Sequence, residues 1–146
     1  MKDLHSKIKL VSLVGNSVLA ADNTPAALDL QGYDSVEIAL ALGIGGITFD
    51  ATNKIEFKLT ESDDNVTYAA VDISDMLGLQ SVGAGGIIKS LVAAHAAAAV
   101  YRFGYKGGKR YLKLLADFSG THGTGTPVAV AAILGNGFSN PQVDQA

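Results

Sequence analysis

Cysteine is absent from the 146 residues, so disulfide cross-links, thiolate metal sites and a thiol nucleophile are all excluded. Stability must come from packing. Charge is scarce as well, at 17% of residues, against a usual share of about 25%. Much of the polar surface must then be Ser, Thr, Asn, Gln and backbone. A low-charge surface rich in Ala and Gly suits permanent contacts. The net charge of −3 and pI near 5.4 supply no field that would draw in nucleic acid. Lys106, Lys109, Arg110 and Lys113 do cluster, and a solvated strand edge explains them better than a phosphate track.

Long apolar runs are missing too. A membrane-spanning helix needs about 18 apolar residues, and the most apolar stretch, LVAAHAAAAV, contains His95. The opening segment, MKDLHSKIKLVSLVGNS, has the charges of a signal peptide, but Lys7 and Lys9 interrupt its apolar core, so secretion is not indicated. Neither an internal repeat nor a domain linker is visible. The length fits one domain, residues 1–146, burying roughly two thirds of the surface that the unfolded chain exposes.

What the chain does contain is period-two alternation. In KIEFKLT, Ile55, Phe57 and Leu59 point one way while Lys54, Glu56 and Lys58 point the other, as a strand with one wet face requires. In SVEIALAL, Val36, Ile38, Leu40 and Leu42 share a face opposite Glu37, Ala39 and Ala41. That second face is small rather than charged, which suits a covered surface. Further strands are expected at 8–14, 68–71, 87–92, 98–105, 110–118 and 128–134. Seventeen glycines punctuate them, with turns expected at Gly15-Asn16, 43–46, 83–86, Gly107-Gly108, the run SGTHGTGTP and 135–137. About eight short strands with no alternating helical period predict an all-β sandwich or barrel. DISDMLGL, at 72–79, reads as one helical turn capped by Asp72 or Ser74 and stopped by Gly78. The alanine run at 93–99 reads as a loop, being too short for a stable helix. Residues 1–7 and 136–146 read as flexible arms.

Chemistry is thin. Glu61, Asp63 and Asp64 sit between two expected strands, but a calcium loop starting at Asp63 would lack its central glycine and would end on Ser74 instead of Glu. Asp63, Asp64 and Asn65 are turn formers, and a wet hairpin tip is the better reading. His5, His95 and His122 are far apart and none has ligand spacing to another. Neither a nucleophile elbow nor a phosphate-binding glycine loop is present. No catalytic, cofactor-binding or metal residue can be named, and no enzyme activity or cofactor is expected. The aromatic residues are more informative. Tyr101, Phe103 and Tyr105 share a strand face, and VYRFGYKGGKRYLKL reads as a β-hairpin that brings Tyr111 across from them. Such a face is either core with hydroxyls reaching the rim, or a sticky sheet edge.

The order MKDLH-x-x-I-K, LQGYDSVEIAL, ESDD-x-x-x-Y-x-x-V, D-x-LG, GYKGGKRYLKL and VAVAAILGN resembles small proteins encoded among the structural genes of tailed bacteriophages, the capsid decoration or cement proteins. The likeness runs over nearly the whole chain, in strand and turn patterns rather than catalytic signatures. The alanine run at 93–99 and the tail ending at Ala146 depart from many such relatives. The resemblance implies a single β-sandwich, with a jelly-roll arrangement as one form, that associates with itself as a trimer or dimer. It implies a place on the exterior of an icosahedral virion, after synthesis in the host bacterial cytoplasm. There the protein would cement neighbouring major capsid protein subunits by binding alone, with neither nucleic acid nor membrane as a partner. Leu4, His5 and Ile8 of the N-terminal arm, with Tyr101, Phe103, Tyr105, Lys109, Arg110 and Tyr111 of the expected hairpin, form the candidate interface. Alternatives are another phage part (tail-tube, head-completion or fibre-associated) and a carbohydrate-binding sandwich that stacks sugars on Tyr101, Tyr105 and Tyr111.

Overall fold

Alternating side chains sort the chain into two antiparallel sheets in a computed structural model that describes residues 3–145. Ten strands occur among these residues: β1 (Ile8–Leu19), β2 (Leu28–Asp29), β3 (Tyr33–Leu42), β4 (Lys54–Ser62), β5 (Ala69–Ala70), β6 (Met76–Leu77), β7 (Ile87–Leu91), β8 (Ala99–Tyr105), β9 (Tyr111–Ser119) and β10 (Thr126–Gly137). The first sheet has the order β1-β10-β3-β8-β6. The second has the order β2-β9-β4-β5, with β7 also paired to β4. Because β9 occupies one side of β4 along its whole length, β5 and β7 share the other side, at opposite ends.

The core lies between the sheets. From the first come Ile38, Leu40 and Leu42 of β3 and Val128, Val130, Ala132 and Leu134 of β10; from the second come Ile55, Phe57 and Leu59 of β4 and Leu112, Leu114 and Ala116 of β9. All are buried, and each is separated from the next on its strand by a residue that faces outward. Of the sandwich and barrel expected from the period-two pattern, two facing antiparallel sheets correspond to a sandwich-like arrangement. Asp72 caps the helical turn Ile73–Asp75 by accepting from the Ser74 amide at 2.9 Å, and the alanine run contains no helix. The acidic segment is a hairpin tip, since Thr60 and Glu61 of β4 pair with Ala70 and Ala69 of β5.

Three expectations need correction. The eight expected strands are joined by β2 and β6, each two residues long and therefore without a readable period. Two expected turns are strand instead: β1 runs through Gly15-Asn16 to Leu19, with register shifts between Ser12 and Ser17 taking up the extra residues, and β10 runs through Gly135 to Gly137, held by its ladder to β3. The segment VYRFGYKGGKRYLKL is not a hairpin: β8 pairs with β3 and β6 in the first sheet, whereas β9 pairs with β4 and β2 in the second. Residues 106–110 cross between the sheets. Long ladders explain the outcome, because β8 is matched to β3 from Val36 to Leu42 and β9 to β4 from Lys54 to Ser62. The crossover folds tightly over Tyr105, so that a Cβ on Gly107 would lie 2.3 Å from the phenol oxygen.

The third correction concerns the arms. Positions 136 and 137 belong to β10, and the segment that follows lies along the outer edge of β1. The Gln145 side chain accepts from the Leu10 amide at 2.9 Å and donates to the Leu10 carbonyl at 2.8 Å, as a neighbouring strand would. An otherwise open sheet edge is thus partly capped. The Gln142 amide bonds to the Ser6 carbonyl at 2.9 Å, and His5 meets Asp144 at 3.0 Å. Both segments therefore hydrogen-bond to each other or to the body. The expected arms also include residues 1, 2 and 146, which lie outside the described residues.

Candidate functional site

The nine residues chosen from sequence do not form one surface. Phe103 is buried in the core. Tyr101 lies near the far end of β8, its hydroxyl 3.2 Å from His95 Nε2 and its ring 4.1 Å from Lys89 Nζ. Leu4, 65% exposed, and His5 precede β1, and Ile8 opens that strand opposite Gly135. Tyr105, Lys109 and Arg110 line a cleft of about 460 Å3 at the crossover, and Tyr111 follows as the first residue of β9. Tyr105 points inward and is 3% exposed, whereas Tyr111 starts a strand of the other sheet, so the three tyrosines cannot make the single stacking platform of a sugar site.

Lys109 and Arg110 of the crossover are both paired. Tyr105 donates to Glu61 at 2.6 Å and accepts from the Lys109 amide at 3.2 Å. Lys109 Nζ reaches Asp63 at 2.6 Å. Arg110 grips both carboxylate oxygens of Asp29, at 2.9 and 2.7 Å, and its guanidinium lies 4.9 Å from the Tyr111 ring. The bond from Arg110 holds the Asp29 carboxyl below its ordinary range, and Asp63 raises the Lys109 ammonium. Asp64 closes the hairpin tip by accepting from the amides of Val66 and Thr67, both at 2.8 Å, and these bonds hold its carboxyl low. The three acids thus divide among a buried phenol, a lysine and a turn. No group of three His, Cys, Asp or Glu among the described residues is placed to hold a metal ion.

Tyr105 makes this arrangement testable. Burial first, and then the Glu61 carboxylate, push its phenol well above the ordinary value near 10. A folded-state value raised in this way stabilises the protein fully below about pH 10 and loses that contribution as pH rises further. Tyr105→Phe is expected to cost about 1–2 kcal/mol near neutrality, by leaving Glu61 and the Lys109 amide without a partner. Urea melts between about pH 9 and 11 should show the variant losing stability less steeply than the parent. Parallel slopes would contradict the assignment.

A different surface stands out once the sheets are in place. The outward face of the second sheet carries Lys54, Glu56, Lys58, Lys113 and Asp117; Lys54 pairs with Glu56 at 2.6 Å, and Lys58 pairs with Asp117. It is an ordinary solvated face. On the first sheet the outward residues include Ala39 and Ala41 of β3, Pro127, Ala129, Ala131 and Ile133 of β10, Val100 and Arg102 of β8, and Leu10 and Val18 of β1, with Ser12, Ser35 and Glu37 among them. Leu10, Val18 and Val100 are 51%, 60% and 72% exposed. One end is hollowed into a shallow groove of about 400 Å3, lined by Ala41, Val100, Pro127 and Ala129 among others. Glu37 and Arg102 are the charges on the central strands of this face. The small second side of SVEIALAL hinted at such a surface. The decisive signal is that VAVAAI supplies the same small outward residues on the adjacent strand.

No family model matches the chain, and no curated protein matches it. Among solved structures, it is similar to the crystal structure of the SPBc2 prophage-derived protein YomS, at 11% sequence identity and a TM-score of 0.46, covering 87% of this chain and 91% of that one.

Proposed function

We propose that this protein is a structural component of a tailed-phage particle that acts by binding alone, decorating the capsid exterior and cementing neighbouring major capsid protein subunits. One observation carries the reading: of two sheets built from the same alternating pattern, one turns mainly charged residues to solvent, and the other turns mainly alanine, valine, leucine and proline, with Glu37 and Arg102 the charges on its central strands. Scattered exposed apolar residues are normal, but a contiguous apolar sheet face marks a place where something binds. The segments LQGYDSVEIAL and VAVAAILGN, which carry part of the likeness to phage structural proteins, contain most of β3 and β10, the neighbouring strands at the centre of that face. Whatever covers this face, a protein that holds several neighbours at once suits a shell, since each further grip becomes intramolecular once the first is made.

Purified particles from a strain carrying the gene provide the test. Mass spectrometry with stoichiometry should find the protein in hundreds of copies per particle, and cryo-electron microscopy should show it on the shell. A handful of copies would place it in a tail or connector and overturn the decoration role. Complete absence from particles would end the structural reading.

A further inference from the structure

We infer that the outward face of the first sheet joins this protein to a second copy of itself about a two-fold axis, with Glu37 of each copy paired to Arg102 of the other. The inference rests on the reading that this face is a contact surface, and it names the occupant.

Charge complementarity points to a second copy. Glu37 and Arg102 lie on the neighbouring strands β3 and β8, offset diagonally: Glu37 is matched to Gly104, and Arg102 to Ala39. Neither forms an ion pair among the described residues, unlike Lys54, Lys58, Lys109 and Arg110. A patch bearing one charge of each sign is its own complement under two-fold rotation, as an isologous interface requires. Gly104 also helps to place Glu37, because a Cβ there would lie 3.1 Å from Glu37 Oε2. The carboxylate thus rests over glycine.

Geometry locates the axis. With about 4.8 Å between strands and about 3.3 Å per residue, an axis in the plane of the face that exchanges Glu37 and Arg102 runs obliquely across β3 and meets β10 close to Ala131. That is the middle of the apolar face, where alanines on both strands allow close approach of a second sheet. The same spacings give the face an area on the order of 600 Å2 per copy. Standard interfaces bury about 800 Å2 per partner, so this is a small interface whose affinity rests on complementarity more than area, and a concentration-dependent dimer is expected.

Sedimentation velocity over a concentration series tests the inference on the whole chain. The parent should show concentration-dependent dimers. Ala131→Glu, which sets two carboxylates against each other near the axis, should leave only monomer at the same concentrations. Glu37→Arg and Arg102→Glu should each weaken association by about tenfold or more, and the double exchange should restore most of it. Unchanged far-ultraviolet circular dichroism and melting will show that each variant folds. A monomeric parent overturns the inference, as does a dimer indifferent to Ala131→Glu or to both charge reversals. Particle stoichiometry separates this result from the proposed function. A monomer found in hundreds of copies on shells defeats self-association alone, whereas a dimer absent from particles defeats the structural role alone.

Discussion

Phe57→Ala is expected to lower the free energy of unfolding by about 3–5 kcal/mol, the largest loss from any single side chain in this core. Phe57 sits mid-strand in β4 and is 0% exposed. Its partner on β9 is Ala116, so the ring occupies space that its neighbour leaves open. Truncation would remove transfer free energy and leave a cavity between close-packed sheets that cannot readily collapse. A typical domain is stable by about 5–15 kcal/mol in total, and at this chain length each kcal/mol moves the melting point by about 2–4 °C. A fall of about 10 °C is therefore expected, read by denaturant and thermal melts. Leu115→Ala, on the outward face of β9, is the control and should stay within roughly 0.5 kcal/mol. A loss below about 1 kcal/mol for Phe57→Ala would show that the sheets are not packed around this ring.

Phe57 also illustrates why so much of the fold was legible. Alternation in KIEFKLT assigns an inside and an outside without reference to any other segment, and the same holds for β3 and β10. Each of these three strands could therefore be read alone, whereas β1, bulged between Ser12 and Ser17, outran the period that marked its start. Pairing could not. The residues from Tyr105 to Tyr111 have the glycine-rich turn and aromatic flanks of a hairpin, and local pattern favours joining β8 to β9. The competing partners, β3 and β4, lie far away in sequence, and their ladders extend along nearly the whole of each strand. Strands of two residues are at the opposite limit. Met76 and Leu77 become β6 only because Tyr105 and Gly104 present a free edge beside them.

The candidate surface was half legible for a related reason. Sequence chose conspicuous residues, the tyrosines and the basic cluster, and the fold turns most of them inward or onto each other. Lys109 finds Asp63 and Arg110 finds Asp29 across long stretches of chain, pairings that no local pattern announces. The residues that make the apolar face are inconspicuous alanines. Each is unremarkable on its own strand, and the surface exists only because β3 and β10 are neighbours in matched register, Ala39 beside Ala131 and Ala41 beside Ala129. Periodicity reveals which side of a strand is small. Adjacency of two such sides is a property of topology.

Topology also explains the second large effect, at a residue with no side chain. Gly86 precedes β7 with φ +86°, and a Cβ there would stand 2.2 Å from the Leu59 carbonyl oxygen. Its own carbonyl accepts from the Leu59 amide at 2.8 Å, so the same backbone that would be struck is the one that anchors β7 beside β4. Gly86→Ala therefore combines a left-handed dihedral, at about 1–2 kcal/mol, with displacement of a backbone hydrogen bond. A total of about 2–4 kcal/mol is expected. Gly85 separates the two contributions. It also has positive φ, +74°, but the nearest atoms to its Cβ position are the flexible end of Lys58 at 3.9 and 4.0 Å. Gly85→Ala should thus cost only about 1 kcal/mol. Chemical denaturation of both variants gives the difference, and amide exchange at Leu59 should accelerate in Gly86→Ala alone. Equal losses in the two variants would mean that dihedral strain accounts for everything and that β7 does not depend on this close approach.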